Sequence, residues 1–253
     1  MQTVTVRGVT LGAGRPKIIV PIVERTEEAI LAEARSFAAL PLDMAEWRVD
    51  WFDGAADPDR VARCLSALRE ALGDTPLLAT FRTAKEGGEG AIAPADYAAL
   101  CKAMAATGCV DLLDVEAFSG DAIVQDILSF AHRQGVKVVG SSHNFQETPP
   151  REELVARLRQ IQAMGVDMPK LAVMPRNRQD VLALLSATEE MVRCYADRPV
   201  ITMSMGGDGM ISRLCGQVFG SAATFGCATH SSAPGQMEVR QLDTVLRLLE
   251  QAL

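Results

Sequence analysis

The sequence predicts an α/β fold of the closed (β/α)8 barrel type, with a short N-terminal β-hairpin at the barrel bottom. Three observations predict it. Eight short apolar runs alternate with segments of helical periodicity. The runs begin about every 30 residues, as an eightfold barrel of roughly 250 residues requires. No linker, low-complexity tract or shift of composition breaks the alternation. That favours a closed ring over a doubly wound open sheet, and it assigns residues 1–253 to one domain.

The elements follow in order. The first residues alternate, Thr3 and Thr5 against Val4 and Val6, and turn at GAGRP (12–16), so residues 1–16 read as the hairpin. The strand candidates are IIVPIV (18–23), MAEWRVD (44–50), PLLATFR (76–82), VDLLDVEA (110–117), VKVVGSSH (136–143), PKLAVM (169–174), PVITMSM (199–205) and SAATFGC (221–227). Between them lie amphipathic segments such as TEEAILAEARSFAAL and PDRVARCLSALREALG. Thr26, Asp57 with Pro58, Pro94, Pro150 and Asn177 are helix-start signals. Gly73, Gly108, Gly135 and Gly165 are stop signals.

Composition narrows the function. The formal net charge is −7, which argues against a nucleic-acid partner or a membrane surface. No apolar span or signal peptide is apparent, and the six cysteines form no CxxC pair, so reduced thiols in the cytoplasm are expected. Three histidines without ligand spacing make a metal site unexpected.

In a barrel the site forms at the carboxyl ends of the strands. Glu46 and Arg48 are two apart and share one face, either as a structural ion pair or as a site for hydroxyl groups. Arg82 precedes the glycine-rich AKEGGEG, which carries Glu86. His143 ends the fifth strand candidate and can move protons near neutrality, whereas His132 and His230 read as surface residues.

Lys170 lies between a proline and core-type residues, and only five of the 25 basic residues are lysines. An amine there is either a strand-end cation in water or a nucleophile kept in a dry pocket. Arginine cannot form an imine; lysine can. His143 and Lys170 on adjacent strands therefore suggest Schiff-base chemistry, in which an iminium acidifies the neighbouring carbon. Arg213, expected at the beginning of the helix after the seventh strand, suggests an anion clamp, and the loop THSSAPGQ with Ser232 and Gln236 is either an ordinary turn or a lid closing over substrate.

Taken together, EWRVD (46–50), TFRTAKEGG (80–88), HNF (143–145), PKLAVMP (169–175), ITMSMG (201–206), ISRL (211–214), FGSAATFG (219–226) and SAPGQ (232–236) resemble, in order, the type I 3-dehydroquinase family. The resemblance implies a cofactor-free, metal-free syn dehydration of 3-dehydroquinate to 3-dehydroshikimate, in the shikimate pathway to chorismate and aromatic amino acids. It implies Lys170 as the imine-forming residue, His143 as general acid/base and Glu86 as the group tuning it. Arg213, Ser232 and Gln236 would hold the substrate carboxylate, and Glu46, Arg48 and Arg82 the ring hydroxyls. Met203, Met205 and Phe225 would wall the pocket, and a homodimer is implied.

Pro21, where relatives often carry serine, and Ser142, where a larger residue is usual, depart from the family; both bear on affinity rather than reaction type. Two alternatives stand beside this reading, an aldolase-like barrel lyase and a silent barrel that senses pathway intermediates. Arg213 with SAPGQ speaks against a phosphate-ester substrate, and retention of both His143 and Lys170 against a silent barrel.

Overall fold

The computed structural model describes residues 2–253. Strands β1 (Val4–Val6) and β2 (Val9–Leu11) pair antiparallel, with Val4 opposite Leu11. Their turn is Arg7–Gly8, both at positive φ (45° and 81°), the backbone a two-residue hairpin needs. The expected turn at GAGRP is instead the connection from the hairpin to the barrel. The Arg7 side chain reaches across the barrel bottom, its Nε donating to Asp111 Oδ1 at 2.7 Å.

The barrel strands are β3 (Lys17–Ile22), β4 (Met44–Arg48), β5 (Leu77–Thr80), β6 (Leu112–Glu116), β7 (Lys137–Asn144), β8 (Met168–Val173), β9 (Ile201–Ser204) and β10 (Ala223–Cys227). From β3 to β9 each strand pairs in parallel with the next, and β10 pairs in parallel with β3. The ring closes between β9 and β10 through a parallel Val200–Ser221 bridge and the Ala222 N–H on the Val200 carbonyl at 2.8 Å. A two-residue strand, β11 (Met237–Glu238), adds to the far side of β10. All eight strand candidates fall where the apolar runs place them, within one or two residues at most ends.

Helices α1 (Glu27–Ser36), α2 (Pro58–Leu72), α3 (Pro94–Ala106), α4 (Asp121–Arg133), α5 (Arg151–Ala163), α6 (Arg178–Cys194), α7 (Gly206–Leu214), α8 (Gly216–Phe219) and α9 (Val239–Ala252) form the outer layer. Their starts are chemical. Thr26, Asp57 and Asn177 each accept N–H bonds from the first turn they cap, and Pro58 and Pro94 occupy positions whose N–H has no partner in a helix. Outward side chains of the strands, such as Val20, Trp47 and Val115, pack against α1 to α4 in the largest core cluster. Burial on both faces is why the strands read as unbroken apolar runs.

The inward side chains form layers. At the bottom, Ile19, Met44, Leu78, Leu112, Val139, Met168 and Ile201 meet Val4 and Leu11 of the hairpin, which plugs that end. One layer higher the interior turns polar, with Glu46, Thr80, Asp114, Ser141 and Lys170 all buried. Lys170 is the third residue of six in β8, so it lies inside the barrel rather than at a strand end in water.

Candidate active site

Above the polar layer, at the carboxyl ends of the strands, a cavity opens toward the loops. Lys170 is 4 % exposed and projects into it. Its Nζ donates to Asp114 Oδ2 at 3.0 Å and lies 4.7 Å from the centre of the Phe225 ring. Asp114, fully buried, also accepts from Arg82 Nη2 at 2.7 Å and from the Ser141 hydroxyl. Burial alone would raise the Asp114 carboxyl, but Arg82, Lys170 and His143 override it and hold the group well below the usual carboxylate range. Lys170 thus faces a fixed anion.

His143, inward on β7, has Nδ1 at 2.8 Å from Glu86 Oε2, which also accepts the His143 backbone N–H at 3.0 Å. Glu86 comes from a 3-10 turn, Ala84–Glu86, and the glycines behind it explain its placement. Gly87 has φ of 81°, and a Cβ there would strike the Phe145 ring; a Cβ on Gly88 would strike the Arg82 carbonyl. The loop is glycine-rich so that it can fold back flat and present a carboxyl to the imidazole.

Burial first, then the Asp114 and Glu116 carboxylates, push Glu86 up to about 8, against the opposing pull of Arg82. Burial, then Arg82 and Lys170, push His143 well below its ordinary value. The two groups titrate as a pair, and ionisation of Glu86 lets it accept the Nδ1 proton. With Nδ1 committed to Glu86, Nε2 is the nitrogen left to give and take protons.

Arg213 is on the opposite pattern. Burial pulls its guanidinium down to about 10, still charged at neutral pH, and it has no carboxylate partner among the described residues. Nη2 donates to the Pro234 carbonyl at 3.2 Å, Nη1 lies 3.5 Å from Met203 Sδ, and Nε is buried with no partner. An unpaired buried cation beside a cavity is a receptor for an anion. Over it lies the 228–236 segment, where Gln236 bonds both the backbone N–H and the hydroxyl of Ser232 at 2.9 Å.

The type I 3-dehydroquinase family profile matches residues 18–252. A curated 3-dehydroquinate dehydratase of Clostridioides difficile (strain 630) is 50 % identical over 252 residues, covering 100 % of this chain and 99 % of that one. The chain belongs to the type I 3-dehydroquinase family. It is an enzyme of the hydro-lyase class. Among solved structures, the family enzyme of Clostridium difficile superposes with a TM-score of 0.97 at 49 % identity, covering 100 % and 99 % of the two chains. The 3-dehydroquinate dehydratase of Enterococcus faecalis superposes with a TM-score of 0.93 at 46 % identity, over 98 % and 100 %.

Within this family barrel, all twelve residues singled out in the sequence line the one cavity: Glu46, Arg48, Arg82, Glu86, His143, Lys170, Met203, Met205, Arg213, Phe225, Ser232 and Gln236. One local expectation changes, and two others are narrowed. Arg213 sits in the last turn of α7, not at its beginning, because α7 already starts at Gly206. Glu46 and Arg48 do not pair: Glu46 accepts the Thr80 hydroxyl at 2.8 Å, and Arg48 forms a two-pronged pair with Asp50. Arg82 is engaged by Asp114, Glu86, Glu116 and Ser141, so its cation organises carboxylates before any substrate arrives.

Asp114, Glu116, Thr80, Ser141 and Asp50 are polar partners that sequence reading missed, as are Phe145 and Ala172 in the cavity wall. The two departures from the family lie off the cavity: Pro21 is not among its lining residues, and Ser142 faces an outer groove with Tyr97 and Phe118.

Proposed function

We propose that the chain dehydrates 3-dehydroquinate to 3-dehydroshikimate through an imine on Lys170. The observation that carries the reading is a buried amine that faces the same cavity as a carboxyl-tuned imidazole and an unpaired guanidinium. The substrate carboxylate would satisfy Arg213, with Ser232 and Gln236 closing over it, while Glu46 and Arg48 face the ring hydroxyls. Met203, Met205 and Phe225 supply the apolar wall that excludes water.

The steps balance. Lys170 Nζ adds to the ketone, and the carbinolamine loses one water to give an iminium. His143 Nε2 removes a proton from the adjacent carbon, leaving an enamine whose electrons expel the hydroxyl group two carbons away. His143 returns the proton to that hydroxyl, which departs as a second water. One water then hydrolyses the conjugated imine and restores the amine. Asp114 stabilises the cationic nitrogen at each charged stage, and Glu86 takes up the positive charge of the protonated imidazole.

The product places the step in the shikimate pathway. A homodimer in the cytoplasm completes the reading. The exposed Ile211, Val218 and Leu248 of α7, α8 and α9 are apolar surface for a second copy, and all six cysteines are free, as a reducing compartment keeps them. Sedimentation of the chain as a monomer would remove the dimer. Among the described residues no helix is long and apolar enough to cross a membrane.

Intact-protein mass after mixing with 3-dehydroquinate and borohydride tests the chemistry. Reduction of the imine is expected to add the substrate to the parent and nothing to Lys170→Ala, which should lose turnover but keep its fold. An adduct on both proteins moves the nucleophile elsewhere, and none on either removes the imine mechanism.

A further inference from the structure

We propose that Asp50 is a positioning residue that couples the loop closing over the cavity to the loop that carries Glu86. Asp50 does not line the substrate cavity, and its side chain is fully buried. Its carboxylate nevertheless holds four donors. Arg48 contributes two of them, Nε to Oδ1 at 2.9 Å and Nη2 to Oδ2 at 2.7 Å. The backbone N–H of Arg82 reaches Oδ1 at 3.2 Å, and that of Glu89 reaches Oδ2 at 3.1 Å.

Those two amides flank the Glu86 turn. The loop between them is pinched shut by the Thr83–Gly90 bridge and by the Ala84 N–H on the Gly90 carbonyl at 2.8 Å. One carboxylate therefore fixes both feet of the loop, and with them the carboxyl group that meets His143.

Arg48 connects the other way. Its Nη1 donates to the Ser232 carbonyl at 3.4 Å. Two residues on, the Pro234 carbonyl accepts both Arg213 Nη2 and the Gly206 N–H, each at 3.2 Å. The 228–236 segment thus rests on Arg213, where the substrate carboxylate would bind, and on Arg48, which is locked to Asp50. A planar guanidinium gripped at two nitrogens cannot pivot without breaking a bond, so a shift of the closing loop reaches Asp50 as a shift of the whole fork. Anion binding at Arg213 is in this way tied to the seating of Glu86 against His143, through a continuous hydrogen-bonded path.

A carboxylate that served only to neutralise Arg48 would behave differently. Its loss would weaken binding at Arg48 and raise KM, with no effect on the Glu86 loop.

The coupling rests on the reading of Lys170, His143 and Glu86 given above, and the test separates the two. Hydrogen exchange is followed in the parent and in Asp50→Asn, before and after borohydride trapping with 3-dehydroquinate, with the adduct verified by mass. In the parent, trapping is expected to protect both 228–236 and 82–90. In Asp50→Asn the adduct should still form and 228–236 should still be protected, but 82–90 should not respond. Turnover should fall roughly 100-fold with KM within about threefold, the pattern of a misplaced catalytic group rather than a lost binding contact. Should Asp50→Asn not fold, Arg48→Lys, which keeps the charge and loses the fork, carries the same hydrogen-exchange comparison, its KM set aside because Arg48 itself faces the ring hydroxyls. An adduct on the parent without protection of 82–90, or a variant whose 82–90 segment responds as the parent's does, overturns the coupling alone. Absence of any adduct on the parent overturns the imine reading and the coupling with it.

Discussion

Burial sets the Glu86 carboxyl against its own charge, and the cost is measurable as stability. Its ordinary value of 4.5 is pushed up to about 8 in the fold. Between those limits the folded chain keeps a proton that the unfolded chain has released. The stabilisation is therefore complete below about 4.5 and is lost as pH rises through 8, at up to about 1.4 kcal/mol per pH unit. Glu86→Gln cannot ionise, so its unfolding free energy relative to the parent should increase between pH 5 and pH 8 in denaturant titrations. Parallel curves would show that the carboxyl titrates normally. Arg213 makes a second such trade. Arg213→Met removes a buried cation without a carboxylate partner, so the variant should be more stable, by roughly 1 kcal/mol or more. The same change should raise KM roughly 10- to 150-fold, as loss of a charge-assisted contact of about 1.5–3 kcal/mol does. A variant with unchanged KM would put the substrate carboxylate elsewhere.

At the scale of elements, the strands were legible because each is buried on both faces, and the helices because Thr26, Asp57, Asn177 and the closing glycines punctuate them. Helix α7 was misread at its start for a physical reason. Gly206, Gly207 and Gly209 are poor helix formers, yet packing overrides them: a Cβ on Gly209 would lie 2.5 Å from the Ser204 carbonyl, and Ser212 bonds the Ser204 N–H at 2.8 Å. Glycine is what lets this helix lie on β9, and the same glycines hide it. The polar hub was missed although its signal was present. Asp114 and Glu116 stand two apart in β6, as Glu46 and Arg48 do in β4, and the same period would have turned both inward. Asp50 carried the same signal, two past Arg48 in MAEWRVD, although the strand ends at Arg48 and Asp50 lies in a 3-10 turn. The hairpin, whose apolar alternation was legible although its turn was not, supports a prediction of its own. Leu11 is fully buried in the bottom layer, so Leu11→Ala should cost about 2–5 kcal/mol. That layer lies at the end away from the cavity, and KM should not move. A change in KM alongside the lowered melting temperature would mean that the plug also sets the geometry of the site.

Across the whole molecule, charge and site point in opposite directions. The chain carries a formal net charge of −7, yet its cavity must attract an anion. The local field does little to help. Arg48 is matched by Asp50, Lys170 by Asp114, and Arg82 by Asp114 and Glu116, which leaves Arg213 as the cavity cation without a carboxylate against it. A carboxylate substrate therefore approaches against the field of the whole protein and feels attraction only at contact range. Added salt changes that balance by distance. At ~0.01 M the screening length is about 30 Å and the net charge is felt throughout the approach, whereas at ~0.15 M it is about 8 Å and little beyond the rim acts. Relief of the long-range repulsion should raise kcat/KM about twofold as sodium chloride goes from ~0.01 to ~0.15 M, since only the screened part of a few tenths of a kcal/mol is at stake. Initial rates at low substrate concentration measure it directly. A fall over the same range would mean that the buried Arg213 cation outweighs the net charge during approach, and that substrate capture is steered rather than opposed.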